Sequence, residues 1–273
     1  MPFADVPGGT LHYDVTDLTL PWHGAPETIL FCHGLGSVSD AWADWLPALV
    51  DRYGAVRFDL RGHGRSLRPG ADAGLSFDRL CDDVLAVADA AGAKRFHLVG
   101  ESIGGTIALA LAARRPDRLL TLTVSNGAHL GASIEAVHDW RDIIARSGMD
   151  GWSAHMMPFR FFDGAIDEAM RRWYEAQQAT VSPEFLLRAV SLLVGADLTP
   201  ELDRITCPVL LLHGDSSPFI PVAVMADLRD RLPQARLQVF AHARHGLPFS
   251  HARACAETLR RFLDEHRASS GGL

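Results

Sequence analysis

Short apolar runs recur along this sequence, and most of them are followed by a longer segment with helical periodicity. That alternation is typical of a mostly parallel sheet whose strands are joined by helices packed on its faces. The run Val209–Leu212 is apolar at every position, as expected for a strand that helices cover on both sides. The predicted strands are Thr28–Cys32, Ala55–Phe58, Phe96–Val99, Leu119–Val124, Val209–Leu212 and Leu237–Phe240. The predicted helices are Ser76–Ala91, Ile103–Arg114, Pro221–Leu232 and His251–His266. The sequence therefore predicts an α/β fold with a central, mostly parallel sheet flanked by helices.

One long stretch interrupts the alternation. From about residue 128 to residue 195 no segment has the pattern of a strand, whereas helical periodicity and aromatic side chains are frequent. Because predicted core strands lie on either side of this stretch, we predict a helical cap inserted over the sheet. The expected division is residues 1–127 for the first part of the α/β core, residues 128–196 for the cap and residues 197–273 for the second part of the core.

The segment Gly100–Gly104 reads Gly-Glu-Ser-Ile-Gly and lies between the predicted strand Phe96–Val99 and a predicted helix. Strand, G-x-S-x-G and helix in this order form a nucleophile elbow, a turn so sharp that side chains at the glycine positions would collide with neighbouring backbone. The turn would expose the Ser102 Oγ, and the start of the next helix favours negative charge. Such glycine turns also arise by chance, so the context carries the prediction that Ser102 is a catalytic nucleophile.

A second glycine turn, His33–Gly36, follows the predicted strand Thr28–Cys32. This is the position of the His-Gly motif that supplies one oxyanion-hole donor beside an elbow. We predict that the backbone N–H groups of Leu35 and Ile103 converge on the substrate oxygen, and that His33 itself is structural.

The chain contains 13 histidines, so only position can single out a general base. His245 lies in a loop after the last predicted strand and before the terminal helix. An imidazole on that loop can reach Ser102 across the top of the sheet. His242 is the main competitor but lies closer to the end of the strand. We therefore predict that His245 is the base.

The segment Phe58–Ser66 reads Phe-Asp-Leu-Arg-Gly-His-Gly-Arg-Ser. It resembles the loop that follows the fourth strand in α/β-hydrolases. With the turn His33–Gly36, the elbow and the His245 loop, the chain is similar to that family over nearly its whole length. The resemblance implies the α/β-hydrolase fold with an inserted cap, and it implies no particular substrate.

A narrower likeness starts at Ser125–Gly131, which reads Ser-Asn-Gly-Ala-His-Leu-Gly and precedes the Trp- and Arg-bearing cap. In these features the chain most resembles 3-oxoadipate enol-lactonases, which implies a lactone substrate that carries a carboxylate. A guanidinium binds a carboxylate through two parallel hydrogen bonds. The candidate partners are the cap arginines Arg141, Arg160, Arg171 and Arg188.

The third member of the triad departs from the family pattern. The family usually places an acid after the seventh strand, and Ser217 occupies that place in the segment Gly214–Pro221. Asp215 lies two residues earlier, roughly 6.6 Å back along an extended chain, which is beyond hydrogen-bond reach. Some members place the acid after the sixth strand, where this chain has Asn126. The Asn126 Oδ1 can accept from an imidazole, or the residue can serve only to cap its loop. Asn126 and Asp215 both stay open as third members.

Composition restricts the partners. The net charge is −7 and the basic residues are scattered, which argues against a nucleic-acid partner. The four cysteines have no metal-ligand or dithiol spacing, and low cysteine use fits a reducing compartment. No signal peptide or membrane span is visible. We expect a cytoplasmic protein with no cofactor, no metal and no membrane partner, acting on a small molecule. Both a monomer and a homo-oligomer stay open.

These features predict acyl transfer from a small ester or lactone to water, through Ser102 with His245 as base. One alternative is another enzyme of the same fold, either a C–C bond hydrolase or a cofactor-free enzyme of non-hydrolytic chemistry. A second alternative, kept open by the missing acid, is a ligand-binding protein that lost turnover.

Overall fold

The computed structural model describes residues 2–68 and 74–267, and these form one eight-stranded sheet. The strand order is β1-β2-β4-β3-β5-β6-β7-β8. The first two strands run antiparallel to their neighbours, and every pair from β4 to β8 is parallel. The strands are β1 Phe3–Val6, β2 Gly9–Thr16, β3 Glu27–Cys32, β4 Tyr53–Phe58, β5 Phe96–Glu101, β6 Leu119–Ser125, β7 Val209–Gly214 and β8 Ala235–Phe240. The predicted α/β-hydrolase fold, with a mostly parallel sheet, is confirmed.

Helices cover both faces of this sheet. The helices of the described residues, including three that lie over the end of the sheet, are α1 Phe77–Ala90, α2 Ile103–Arg114, α3 Trp140–Arg160, α4 Glu168–Ala179, α5 Pro183–Val194, α6 Val222–Arg231, α7 Leu247–Ser250 and α8 Ala252–His266. A ten-residue 3-10 segment, Ser39–Ala48, follows β3. One apolar core lies between the sheet and α1, α2 and α6, and the other lies between the sheet, α8 and Ser39–Ala48.

Each predicted strand and helix is present, with bounds that differ by a few residues. The Ser76 Oγ accepts from the Arg79 N–H at 3.2 Å, so the predicted cap starts α1. The sequence analysis missed β1 and β2. In β1 only alternate residues are buried, and a glycine pair joins it to β2. Short half-buried strands of this kind give a weak apolar signal, because only one face contributes to the core.

The helices α3, α4 and α5 fill the chain between β6 and β7. A break at Gly148, with φ of 66°, divides α3 into two parts. The insertion packs over loops at the carboxyl ends of the strands, where Phe185 lies against Gly62 and Trp152 against Gly36. We refer to residues 140–194 as the helical insertion. The last residues of the predicted second part of the core, 268–273, lie outside the described residues.

Candidate active site

Ser102 lies in the turn between the end of β5 and the start of α2. Its φ of 55° and ψ of −120° are an unusual conformation for a residue with a side chain. The turn requires glycine on both sides. A Cβ on Gly104 would meet the carbonyl oxygens of Cys32 and His33, and one on Gly100 would meet the Gly104 carbonyl. Backbone atoms cannot move aside as the end of a side chain can. The two glycines therefore allow α2 to begin directly against β3 and β5.

The imidazole of His245 lies against this serine. Its Nε2 is 3.0 Å from the Ser102 Oγ, and the side chain is buried in the loop between β8 and α7. The structure therefore brings together the two side chains that the sequence singled out. The competitor His242 lies elsewhere, with its ring stacked on Phe162 at a centroid distance of 4.2 Å.

A hydroxyl, and not an acid, contacts the other side of the imidazole. The Ser217 Oγ is 3.1 Å from His245 Nδ1. When Nε2 accepts from the Ser102 hydroxyl, Nδ1 carries the ring proton and donates it to the Ser217 Oγ. This contact fixes the ring orientation and its tautomer. A neutral hydroxyl supplies no charge to stabilise an imidazolium, unlike the carboxylate of a usual triad.

Neither residue considered as a third member contacts the imidazole. The Asn126 Nδ2 donates to the main-chain carbonyl of His245 at 2.9 Å, and its Oδ1 accepts from the Gly214 N–H at 3.2 Å. The side chain is fully buried and its φ is 46°. The idea that the Asn126 Oδ1 accepts from His245 Nδ1 is thus corrected by the geometry, because both polar atoms of the amide are bonded to main chain.

Asp215 also holds main chain. Its carboxylate accepts from the N–H groups of His242 at 2.9 Å and Ala243 at 3.1 Å. The bond from the His242 N–H is the main cause that holds the pKa of Asp215 below its usual value. Asp215 therefore anchors the start of the loop that carries His245 and leaves the ring to Ser217.

Burial dominates the electrostatics of the His245 imidazole. It lowers the pKa of His245 well below the usual 6.5, and the positive charge of Arg160 and the nearby His213 lower it further. The imidazole is therefore neutral at neutral pH, which is the form that can accept a proton.

The turn that carries the predicted oxyanion donor Leu35 is held by side chains. His33 Nδ1 donates to the Gly34 carbonyl at 2.8 Å, and His33 Nε2 accepts from the Leu60 N–H at 2.9 Å. The Gly34 N–H donates to the Glu101 carboxylate at 3.1 Å. His33 and Glu101 thus fix the peptides around Leu35, as the expectation of a structural His33 requires.

The next peptide is fixed at both ends. The Leu35 carbonyl accepts from Arg160 Nη2 at 2.7 Å, and the Gly36 N–H donates to His63 Nε2 at 3.1 Å. Burial lowers the pKa of His63 to about 3, so its ring is neutral and can accept. Within residues 2–68 and 74–267, the Leu35 and Ile103 N–H groups have no protein acceptor.

A narrow apolar cavity of about 30 Å³ opens onto the Ser102 and His245 side chains. Apart from Ser102 and His245, the lining residues are Leu35, Thr106, Ala128, Ile134, Val137, Trp140, Arg160, Val190, Leu193, Phe219 and Ile220. Four of these lie on the helical insertion and two lie on the loop after β7. An apolar wall with a few polar groups is typical of a small-molecule site.

Arg160 is the one candidate arginine that lines this cavity. It is buried, and its Nε donates to the Gln178 Oε1 at 3.2 Å. Arg141 and Arg171 are exposed, and Arg188 is half-buried and does not line the cavity. The structure thus separates Arg160 from the other three candidates.

The sequence analysis missed several residues of the site. Glu101, His63 and Gln178 each bond to a group that shapes it. Glu101 occupies the variable position before the serine of the elbow, and His63 lies in the segment Phe58–Ser66, so the motifs contained both. No local pattern marks Gln178, which lies far along the chain in α4.

Among the described residues, no group of three or more His, Cys, Asp or Glu side chains could hold a metal ion. Within the same ranges, no helix is long and apolar enough to cross a membrane.

The chain is similar to known proteins in both sequence and fold. Residues 27–252 match the family model described as alpha/beta hydrolase fold. A Caulobacter segnis protein named as a carbamate hydrolase, RutD, is 30% identical, over 89% of this chain and 94% of that protein. The 2-hydroxymuconate semialdehyde hydrolase of Pseudomonas sp. strain CF600 is 29% identical, over 90% of each chain. The solved enol-lactonase of Burkholderia xenovorans LB400 is 28% identical with a TM-score of 0.86, over 96% of this chain and all of that one.

Proposed function

The chain belongs to the α/β-hydrolase fold family and is a hydrolase, and on that premise we propose that it cleaves a small ester or lactone through an acyl-enzyme on Ser102. One observation carries the proposal: a neutral imidazole lies 3.0 Å from the Ser102 Oγ at the wall of an apolar cavity. Nucleophile and base within hydrogen-bond reach, next to a cavity that a substrate can enter, are what acyl transfer requires.

The proposed reaction has two halves. The Ser102 Oγ attacks the substrate carbonyl carbon while His245 Nε2 takes the hydroxyl proton. The Leu35 and Ile103 N–H groups donate to the oxyanion of the tetrahedral intermediate. His245 then gives the proton to the leaving oxygen, and the C–O bond breaks. In the second half a water molecule attacks the acyl-enzyme, His245 takes the water proton, and the same proton returns to Ser102 when the acid leaves.

The cavity favours a substrate with a small and mainly apolar acyl part. Its single buried cation, Arg160 among the lining residues, lowers the pKa of His245 and so lies close to the reacting atoms. A substrate carboxylate beside Arg160 would find the charge partner that an apolar wall otherwise lacks. This supports a carboxylate-bearing lactone, in line with the solved structure named as an enol-lactonase.

The first test is hydrolysis of p-nitrophenyl acetate by Ser102→Ala and His245→Ala variants. Loss of the nucleophile can lower kcat by as much as ~10⁶, so both variants should fall to the background rate. His138→Ala replaces an exposed histidine of the chain and is the matched control, expected to match the parent. Retention of more than about a tenth of the parent activity by Ser102→Ala, a barrier change of ~1.4 kcal/mol, would contradict the proposal.

The second arm compares a carboxylate-bearing lactone with its neutral methyl ester in Arg160→Gln. Because Arg160 also holds the Leu35 carbonyl, both substrates should lose some kcat. A hydrogen bond to a charged group contributes about 1.5–3 kcal/mol, so KM for the carboxylate should rise about 10- to 100-fold more than KM for the ester. An equal change for both substrates would remove carboxylate binding and leave the serine chemistry intact.

A second candidate is hydrolysis of a C–C bond in a vinylogous diketone, favoured by the relative named 2-hydroxymuconate semialdehyde hydrolase. The products separate the two. An ester gives an acid and an alcohol and a lactone gives one ring-opened acid, whereas a diketone gives an acid and a second fragment with a new C–H bond at the carbon where the C–C bond broke. Saturable binding of both substrate classes without any product would favour the ligand-binding alternative.

A further inference from the structure

We propose that Pro158–Phe162, which comprises the last three residues of α3 and the two that follow, is a positioning element for the base, which holds the loop His242–Gly246 so that the His245 imidazole meets Ser102. The inference rests on the proposed function, because it takes His245 as the base. It gives the helical insertion a part in catalysis beyond lining the cavity.

The main-chain contacts follow from the way a helix ends. An α-helix leaves its last carbonyl groups without partners inside the helix. In α3 the carbonyls of Pro158–Arg160 accept hydrogen bonds from the consecutive residues Arg244–Gly246. The pairs are Arg244 Nη1 to the Pro158 oxygen, the His245 N–H to the Phe159 oxygen at 3.4 Å, and the Gly246 N–H to the Arg160 oxygen at 2.9 Å. The helix end therefore contacts the base residue itself and both of its neighbours.

Side chains add a second set of contacts. The His242 ring stacks on the Phe162 ring, at a centroid distance of 4.2 Å and an angle of 4°. The Arg244 guanidinium lies 4.2 Å from the centroid of the same Phe162 ring. His242 has a φ of 57°, a left-handed conformation that is unfavourable for a residue with a side chain. The stack on Phe162 helps to hold that conformation.

The core holds the loop from the opposite side. Asp215 accepts from the His242 and Ala243 N–H groups, and Asn126 donates to the His245 carbonyl. The core contacts thus fix the start of the loop and the carbonyl of the base. The N–H of the base and the residues on either side of it are fixed by α3. Since the described side-chain partner of His245 Nδ1 is a neutral hydroxyl and not a carboxylate, the main chain has to supply much of the orientation.

Release of the loop from α3 should have two effects. A misplacement of ~1 Å can cost about 10²-fold in rate, so the chemical step should slow. Water should also reach the imidazole, and because burial is the main cause of the low pKa of His245, that pKa should rise toward its usual value. The other groups that act on the ring are Arg160 on α3 and His213 on β7, both of which lower its pKa. Neither is altered by the variants below.

The experiment uses Arg244→Ala and Phe162→Leu in the full chain, with Arg146→Ala as control. Arg146 is an exposed residue of the same helix, α3. We expect kcat for a neutral ester to fall about 10- to 100-fold in both variants with KM within about twofold, because the substrate cavity is unchanged. The acid limb of the kcat profile should move to higher pH. The control should match the parent in kcat, in KM and in the pH of the acid limb.

A second readout does not depend on turnover. The pKa of His245 is measured by NMR titration of its imidazole in the parent and in Arg244→Ala, and it should rise in the variant. If Arg244→Ala does not fold, Arg244→Lys and Phe162→Leu give the same readout. An unchanged His245 pKa and unchanged kcat in the folded variants would overturn the proposal. Full activity of Ser102→Ala would overturn the proposed function instead, and the titration would still report on the loop.

Discussion

Ser102 and His245, the proposed nucleophile and base, are held in place by different means. Ser102 is positioned mainly by sterics, because Gly100 and Gly104 allow β5, the turn and α2 to meet each other and β3 at close range. His245 is positioned mainly by hydrogen bonds, from the end of α3, the loop after β7 and Asn126. The first arrangement has a local sequence pattern, the elbow, whereas the second has none.

The difference in how the two residues are positioned matters because a hydroxyl, and not the carboxylate of a usual triad, contacts His245 Nδ1. In a Ser-His-Asp triad the carboxylate orients the imidazole and stabilises its positive form. Here the Ser217 hydroxyl can orient the imidazole but cannot stabilise its positive form. The chain compensates for orientation through the main chain of the loop. A positively charged His245 ring would have a neutral hydroxyl and not a carboxylate beside Nδ1, and the pKa of His245 is low.

The largest effect is expected at the elbow, where sterics position Ser102. In Gly104→Ala the new Cβ would meet the carbonyl oxygens of Cys32 and His33. Overpacking costs about 1–3 kcal/mol and more when only backbone can yield, so we expect a loss of about 3 kcal/mol in the free energy of unfolding. Activity should fall at least ~10²-fold because the elbow moves. Chemical denaturation and steady-state kinetics measure the two losses.

Gly54→Ala is the matched control for that variant. Gly54 is a buried strand residue whose Cβ would meet only side-chain atoms of Pro26 and Thr28, both at 3.9 Å. We expect little change in activity. If Gly104→Ala were as stable and active as Gly54→Ala, sterics would not position Ser102.

A smaller effect is expected at Asn126, which helps to position His245 through a hydrogen bond. Asn126→Ala leaves the His245 carbonyl and the Gly214 N–H without their partner. A buried group without a partner costs about 1–3 kcal/mol, so stability should fall by about that amount for each. We also expect kcat to fall about 10- to 100-fold with little change in KM, because the base shifts relative to Ser102.

Asn126→Gly separates the hydrogen bonds from the backbone conformation. Glycine adopts the φ of 46° without strain, so this variant removes only the side-chain bonds. It should lose kcat as Asn126→Ala does while it loses less stability. Unchanged kcat in both variants would mean that Asn126 caps its loop and does not position the base.

The smallest effect is expected at the ring itself. In Ser217→Asp a carboxylate would lie beside His245 Nδ1 and raise its pKa, by about 1–3 units for an opposite charge at this range. Because the neutral imidazole is the active form, the acid limb of the pH profile should move to higher pH. Above that limb kcat should rise about tenfold, because the carboxylate stabilises the imidazolium that forms in the transition state.

Ser217→Ala is the counterpart. It removes the one contact to Nδ1, and loss of a neutral hydrogen bond of about 0.5–1.5 kcal/mol should lower kcat about 2- to 10-fold. A lower kcat in Ser217→Asp, together with a severe loss in Asp215→Asn, would instead make Asp215 the working acid after a rearrangement of the loop.

The same contrast explains what the sequence could predict. The parallel strands, α2 and the elbow have local patterns, and so Ser102 and the turn His33–Gly36 were found from them. His245 was found from its position between the last strand and the last helix. The contacts of Asn126 could not be predicted, because an amide has two polar ends and no sequence pattern indicates which main-chain groups they contact. The bonds from Pro158–Arg160 to the histidine loop join segments that are about eighty residues apart, and only the folded chain shows them.

One measurement tests the central claim most directly, which is that Ser102 is the nucleophile activated by His245. The protein is incubated with a fluorophosphonate, and the adduct is located by intact-mass and peptide mass spectrometry. We expect one adduct per chain, on Ser102, with no adduct in Ser102→Ala and a rate of labelling in His245→Ala lower by at least about 10²-fold, as for loss of a general base. An adduct on another residue, or undiminished labelling of Ser102→Ala, would contradict the account.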